Sequence, residues 1–109
     1  MIVKNTQELL SHGNSAGRRI ALEILEAGLR ASDPYEHVKK LVRIEDGKLL
    51  LGCEEETEYR GAKPLVFDLS KVGRIYVIGG GKAAQRQAEA LEDILGDRIA
   101  DGHVNAKKG

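Results

Sequence analysis

The residues best suited to chemistry are three glycines and a lysine, Gly79, Gly80, Gly81 and Lys82, which lie between an apolar run and a helical pattern. Glycines let an anion approach the backbone, and amides at a helix start can donate hydrogen bonds to it. Lys82 is expected in the first turn of the helix, where the helix dipole disfavours a cation by about 0.3–1 kcal/mol. Because an anion beside the lysine would offset that cost, the pattern predicts that Lys82 and the glycine backbone bind a phosphate or carboxylate. The alternative is a solvated lysine after an ordinary glycine-rich turn.

A Walker phosphate loop is excluded at this turn. That motif begins with a glycine and places a hydroxyl residue, which holds magnesium, directly after its lysine. Tyr76 occupies the first of these positions and Ala83 the second. Tyr76 is not the glycine that the motif requires, and Ala83 has no hydroxyl to hold magnesium.

A dinucleotide-binding fingerprint matches the same turn in part. Gly79, Gly81 and Ala84 have the G-x-G-x-x-G/A spacing. The acidic residue of the fingerprint should close the next strand about 20 residues further on, whereas Asp101 is expected to precede that strand. A nicotinamide-dependent reductase is therefore an alternative function that this turn leaves open.

The remaining reactive side chains do not predict a metal site or a nucleophile. The three histidines, His12, His37 and His103, lack the spacing of metal ligands. Cys53 has no neighbouring base to activate its thiol. The acidic run 54–58 is expected to be a solvated loop, because carboxylates so close together repel one another and resist burial.

Lys108 lies at the carboxyl end of the last predicted strand, which is the position where ligands bind in open α/β sheets. We therefore include Lys108 among the candidate anion-binding residues. Asn105 and Lys107 alternate with apolar residues, and this alternation favours the polar face of the strand for Asn105. Lys107 lies with Lys108 at the far end of that strand.

The N-terminal third of the chain is predicted to be helical. Asn5 and Glu8 have the spacing of a capping box for a first helical turn. A longer helix covers about residues 15–30, with Ile24 on its apolar face and Glu26 on the opposite, polar face.

A short helix and a β-hairpin follow. Asp33-Pro34 predicts a helix that ends near Leu41. Asp46-Gly47 then joins two apolar segments, residues 42–45 and 48–51, as the turn of a hairpin. Residues 64–69 are expected to form a short extended piece.

The C-terminal third predicts a β-α-β unit. Residues 74–78 are rich in β-branched and apolar side chains, which is typical of a parallel strand covered on both faces. A helix follows the glycines and ends at Gly96, and a second strand covers about residues 102–107. The predicted fold is α/β, with N-terminal helices, a hairpin and one βαβ unit of an incomplete doubly wound, Rossmann-like sheet.

The composition narrows the functional classes. The 109 residues suffice for one modest domain, and the formal net charge of zero argues against a strongly basic nucleic-acid binder. With one cysteine and no secretory signal, a reducing, cytoplasmic location is expected. No apolar run approaches the length of a membrane span, so no membrane association is predicted.

Taken in order along the chain, these segments resemble the N-terminal segment of the glycerate 2-kinase family. Members of this family are also described as hydroxypyruvate reductases and carry a C-terminal MOFRL domain. The matching pieces are the helix 16–31 with Asp33-Pro34, the strand, turn and helix start at 75–83, Leu95-Gly96, Ile99, Asp101-Gly102 and Lys108-Gly109.

The resemblance implies an ATP-dependent kinase that uses Mg²⁺ and phosphorylates the 2-hydroxyl of D-glycerate to give 2-phosphoglycerate. It implies two α/β domains with the active site between them and with Lys82 in that cleft. Residues 1–109 correspond to the N-terminal part of the first domain, and the rest of that domain and the MOFRL domain are absent from the chain. We therefore expect the chain alone to be inactive. Two alternatives are a hydroxypyruvate reductase and a non-catalytic association module, whose unfinished sheet would favour a homodimer.

Overall fold

The computed structural model describes residues 2–52 and 63–108. Cys53, the acidic run 54–58 and Gly109 fall outside the described residues. The backbone divides into two compact units, Met1–Asp33 and Pro34–Gly109. No helix of the described ranges is both long and apolar enough to cross a membrane.

The first unit contains two helices, α1 (Thr6–Leu10) and α2 (Ser15–Ala31). The side chain of Asn14 caps α2, because its Oδ1 accepts a hydrogen bond from the Gly17 N–H at 3.0 Å. Asn5 stands at the N-cap of α1 but makes no side-chain capping bond, so the predicted capping box is wrong. The two predicted helix positions are confirmed.

Helix α2 buries a carboxylate that the sequence pattern placed on its polar face. Glu26 is 7% exposed, and its Oε1 accepts a hydrogen bond from the Val3 N–H at 2.7 Å. Its Oε2 lies 3.9 Å from the Nε of Arg30, which is one turn further along the helix. The assignment of Glu26 to an exposed polar face is wrong, because the N-terminal segment around Val3 covers its carboxylate. Ile24, which was assigned to the apolar face, is 69% exposed.

The second unit opens with helix α3 (Pro34–Leu41) and an antiparallel sheet. Its strands are β1 (Val42–Glu45), β2 (Lys48–Leu51) and β3 (Leu65–Asp68), in the order β1-β2-β3. At the β1–β2 turn, Asp46 has φ of 50° and Gly47 has φ of 72°, both in the left-handed region that tight hairpins require. The predicted helix, hairpin and extended piece are confirmed.

The βαβ unit consists of β4 (Ile75–Gly81), α4 (Ala84–Leu95) and β5 (Ile99–Ala106), with a 3₁₀ turn at Gly96–Arg98. β4 and β5 pair in parallel and form a sheet separate from the antiparallel one. Gly96 ends α4 with φ of 52°, a left-handed conformation that favours glycine. The predicted α/β fold with one βαβ unit is confirmed.

One face of β4 packs beneath α4, whose buried residues are Ala84, Ala90 and Leu95. The other face is open, since Tyr76 is 58% exposed and Ile78 is 84% exposed. The prediction of a strand covered on both faces is therefore wrong for the described residues. The apolar run correctly predicted a strand, and α4 packs against both strands of the parallel pair.

Helices α3 and α4 are joined by a polar cluster around Tyr35. The Tyr35 hydroxyl donates a short hydrogen bond to the Asp93 Oδ2. Two cations flank the ring, with the Lys39 Nζ 5.1 Å and the Arg86 Cζ 4.7 Å from its centre. This cluster fixes α4 against α3 and thereby helps to position the turn that precedes α4.

Candidate functional site

The three glycines continue β4 and do not form a loop. Gly79, Gly80 and Gly81 pair with Val104, Asn105 and Ala106 of β5. Only Lys82 and Ala83 separate the end of β4 from the first residue of α4, and Ala83 is the N-cap. The prediction that Lys82 lies in the first turn of the helix is therefore wrong, because strand pairing through Gly81 places it one residue before the N-cap.

Only one of the three glycines is required by the backbone conformation. Gly81 has φ of 115°, which strongly favours glycine. A Cβ added at Gly79 would meet no described atom within 4 Å, and at Gly80 it would make ordinary contact with the Asn105 carbonyl oxygen at 3.8 Å. The described fold therefore has no steric need for glycine at positions 79 and 80, and all three residues are exposed. Their bare backbone is accessible to a ligand.

Three lysines lie where the two parallel strands end. Gly81 and Ala106 are the last residues of the two strands that pair with each other, so Lys82 and Lys107 each come directly after this last pair. Lys108 comes next in the chain. All three side chains are exposed, and within the described ranges none has a hydrogen bond or an ion pair.

The start of α4 adds hydrogen-bond donors near these lysines. The first amides of a helix have no partner within the helix. Ala83 stands at the N-cap and provides no side-chain acceptor for them. An anion at this edge could therefore meet ammonium groups and backbone N–H groups together.

The acidic residue of the dinucleotide fingerprint lies far from this edge. Asp101 is the third residue of β5, where it pairs with Tyr76 near the beginning of β4. Its Oδ1 accepts a hydrogen bond from the Gly102 N–H at 2.8 Å. β5 begins earlier than predicted, so Asp101 lies inside the strand and not before it. Lys107 follows the carboxyl end of β5, where the fingerprint needs an acid, and the geometry does not favour a dinucleotide site.

His103 and His12 each lie close to a neighbouring polar side chain. His103 lies on the open face of the parallel pair, with its Nε2 3.1 Å from the Asn105 Oδ1. His12 has its Nδ1 3.3 Å from the Ser11 Oγ. Among the described residues, no group of three or more His, Cys, Asp or Glu side chains could hold a metal ion.

The structure brings together the residues that the sequence singled out and adds one more. Gly79, Gly80, Gly81 and Lys82 lie at the carboxyl end of β4, and Lys108 is the second residue after the carboxyl end of the neighbouring β5. Lys107, which the sequence placed at the far end of the last strand but not among the candidate site residues, follows the last paired residue of β5 at the same edge. Its proximity to Lys82 depends on the parallel register, which no local sequence signal specifies.

Comparisons with known proteins agree on the relationship. A model of the family described as "Domain of unknown function (DUF4147)" matches residues 20–109. A glycerate 2-kinase from Pyrococcus horikoshii is 34% identical over 92 residues, which cover 84% of this chain and 18% of that protein.

A solved structure is also similar. The crystal structure of the PH0495 protein from Pyrococcus horikoshii OT3 superposes with a TM-score of 0.54 and 27% identity, over 84% of this chain and 21% of that one. The chain thus spans about a fifth of the length of these relatives. Because the family model covers most of its residues, the chain belongs to the DUF4147 family, as its resemblance to glycerate 2-kinases predicted.

Proposed function

We propose that residues 1–109 form the N-terminal part of the α/β domain of a glycerate 2-kinase. The proposed reaction transfers a phosphoryl group from ATP, with Mg²⁺, to the 2-hydroxyl of D-glycerate. The similarity to a protein named glycerate 2-kinase supports the reaction class. Since the chain spans about a fifth of that protein, its activity is proposed only as part of the larger fold.

The observation that carries the proposal is the strand end at Gly79–Gly81, directly followed by the exposed Lys82. Phosphoryl transfer depends mostly on positioning and on stabilising negative charge, and it needs little covalent chemistry from the protein. Lys82 would bind a phosphate or the glycerate carboxylate, Gly79 and Gly80 would let that anion approach the backbone, and Lys108 would add charge from the neighbouring strand.

The described residues fit one part of the cofactor. The lysines and the uncapped amides of α4 suit the phosphates of ATP, which would supply the phosphoryl group that is transferred. No carboxylate of the described ranges lies in the turn after β4 or in the residues that follow β5. We therefore assign no magnesium ligand to these residues.

We expect the 109-residue chain to have no kinase activity by itself. Several groups must act on the transferring phosphoryl at once, and one sheet edge provides only some of them. Incubating the purified chain with ATP, Mg²⁺ and D-glycerate should give no 2-phosphoglycerate. Detectable turnover would overturn this part of the proposal.

The role of Lys82 can be tested in a chimera in which this chain replaces the matching region of the Pyrococcus horikoshii glycerate 2-kinase. Lys82→Ala in the chimera should lower kcat/KM about 10- to 100-fold, which is the usual worth of a hydrogen bond to a charged group. Lys71→Ala, with the same change in charge on an exposed turn, should leave kcat/KM unchanged. A folded chimera in which Lys82→Ala is as active as Lys71→Ala would reject the role of Lys82.

A second candidate function, a non-catalytic association module, is favoured by the open face of β4. Tyr76 and Ile78 are largely exposed there, and apolar sheet faces promote association. A homodimer would cover this face. Sedimentation equilibrium should then detect dimers that Ile78→Lys dissociates, whereas a monomer at all concentrations would remove this candidate.

A further inference from the structure

The charges of the βαβ unit are strongly polarised, although the chain as a whole has a formal net charge of zero. The segments 79–88 and 104–108 contain only basic charged residues: Lys82, Arg86, Lys107 and Lys108. The segment 89–103 between them is mostly acidic: Glu89, Glu92, Asp93, Asp97, Arg98 and Asp101.

The fold turns this sequence pattern into a charged edge. Since β4 and β5 are parallel, the two basic segments meet at the carboxyl ends of the strands. Asp97 lies in the 3₁₀ turn before β5, and Asp101 pairs with Tyr76, so both lie toward the opposite end. Arg86 forms an ion pair with Glu89 at 2.7 Å, which leaves the three lysines as the unpaired cations of this edge among the described residues.

An anion bound between three lysines at neighbouring strand ends would offset the repulsion among their ammonium groups. A monocarboxylate such as glycerate brings one negative charge and would leave most of that repulsion in place. A phosphate chain brings several negative charges and enough oxygens for each ammonium to have its own acceptor. The exposed backbone at Gly79 and Gly80 would let such a group lie against the strand end.

We propose that this edge binds a multiply charged phosphate chain, such as the triphosphate of a nucleotide, and does not bind the glycerate carboxylate. Lys107 is the third cation of the site, beside Lys82 and Lys108. The inference rests on the proposed kinase function, because it decides which of the two reactants of that kinase the edge holds.

The experiment is a binding titration of the intact 109-residue chain, followed by calorimetry and by amide chemical shifts. The probes are inorganic tripolyphosphate, ATP and D-glycerate at matched ionic strength. We expect tripolyphosphate and ATP to bind at least about tenfold more tightly than D-glycerate, since several charge pairs form instead of one. The shifts should concentrate at residues 79–84 and 104–108, and added salt should weaken the binding.

Single variants then distinguish binding by the three lysines from a general effect of the positive charge of the chain. Lys82→Ala, Lys107→Ala and Lys108→Ala should each weaken tripolyphosphate binding about two- to fivefold, as expected for exposed charge pairs. Lys71→Ala, which removes one positive charge elsewhere, should leave the binding unchanged. Unaltered circular dichroism of each variant shows that the loss is not unfolding.

The outcomes of these experiments test the phosphate inference separately from the proposed kinase function. If D-glycerate binds as tightly as tripolyphosphate and needs the same lysines, the phosphate inference is overturned and the kinase proposal stands. If no probe binds, or if Lys71→Ala weakens binding as much as the other three variants, the edge is not an anion site, and both the phosphate inference and the proposed anion-binding role of Lys82 and Lys108 are overturned.

Discussion

The two sheets of the second unit differ in whether the polar side chains at their strand ends have hydrogen-bonding partners. Asp68 ends β3, and its Oδ1 accepts hydrogen bonds from the Ser70 N–H at 3.0 Å and the Ser70 hydroxyl at 2.7 Å. Lys82 and Lys107, which directly follow the ends of β4 and β5, have no such partner within the described ranges. Polar residues of the antiparallel sheet thus complete turns, whereas those of the parallel pair are left available to a ligand.

Connectivity explains the difference. β1 and β2 are joined by a two-residue turn, so the chain satisfies their ends locally. β4 and β5 are joined through α4, and both carboxyl ends therefore emerge on the same edge without a turn between them. Ligands of α/β proteins bind at such edges.

The largest expected effect is on the close approach of the parallel strands. A Cβ at Gly102 would lie 2.9 Å from the Val77 carbonyl oxygen, a backbone atom that can move only with its strand. Gly102→Ala should therefore lower the free energy of unfolding by about 1–3 kcal/mol, measured by urea denaturation.

Gly79→Ala is the matched control in the same pair of strands. The added methyl meets no described atom within 4 Å, so stability should change by less than about 0.5 kcal/mol. If Gly79 serves a ligand, this variant should instead weaken tripolyphosphate binding. Equal destabilisation by the two variants would contradict the distinction between a structural and a functional glycine.

The next effect tests the antiparallel sheet. Gly47 has φ of 72° in the β1–β2 turn, and an L-residue in that region costs about 1–2 kcal/mol. Gly47→Ala should lower the free energy of unfolding by about 1 kcal/mol and leave anion binding intact. Gly73→Ala, where a Cβ has open space and φ is not in the left-handed region, should be neutral. Loss of anion binding in Gly47→Ala would show that the two sheets are not functionally separate.

The sequence correctly predicted the structural features that depend on residues close together in the chain. Asp46-Gly47 specifies its hairpin because both residues of a tight turn need left-handed φ, and Pro34 starts α3 because its fixed φ suits a first helical position. Both signals act within a few residues of the structure that they predict.

The errors concern residues that are distant in the chain. Glu26 is buried by the segment around Val3, 23 residues away, which the helical pattern of α2 cannot reveal. Pairing with Ala106 extends β4 through Gly81 and moves Lys82 out of the helix. The sequence placed the candidate site at the three glycines, Lys82 and Lys108, whereas the alignment of Lys107 with Lys82 follows from the parallel register.

The smallest effect is the pH dependence of the β3 turn. Hydrogen bonds from the Ser70 hydroxyl and then from its backbone N–H lower the pKa of Asp68 in the folded chain. A folded pKa below the unfolded value gives stability that is present above the unfolded pKa, about 3.9 for an aspartate. That contribution is lost as the pH falls through the folded pKa. Ser70→Ala removes the larger cause, so wild type should exceed it in unfolding free energy at neutral pH, and the difference should shrink below about pH 4.

Asp68→Asn separates this carboxylate from the rest of the turn. In the Asp68→Asn background, the Ser70→Ala difference should no longer depend on pH between neutrality and about pH 3, because the titrating group is gone. Lys82→Ala should show the wild-type pH dependence, since Asp68 belongs to the other sheet. If Lys82→Ala, and not Ser70→Ala, changed the pH dependence of the unfolding free energy, the titrating group would interact with the parallel edge. The proposed difference between the hydrogen-bonded end of β3 and the ligand-accessible end of β4 would then be wrong.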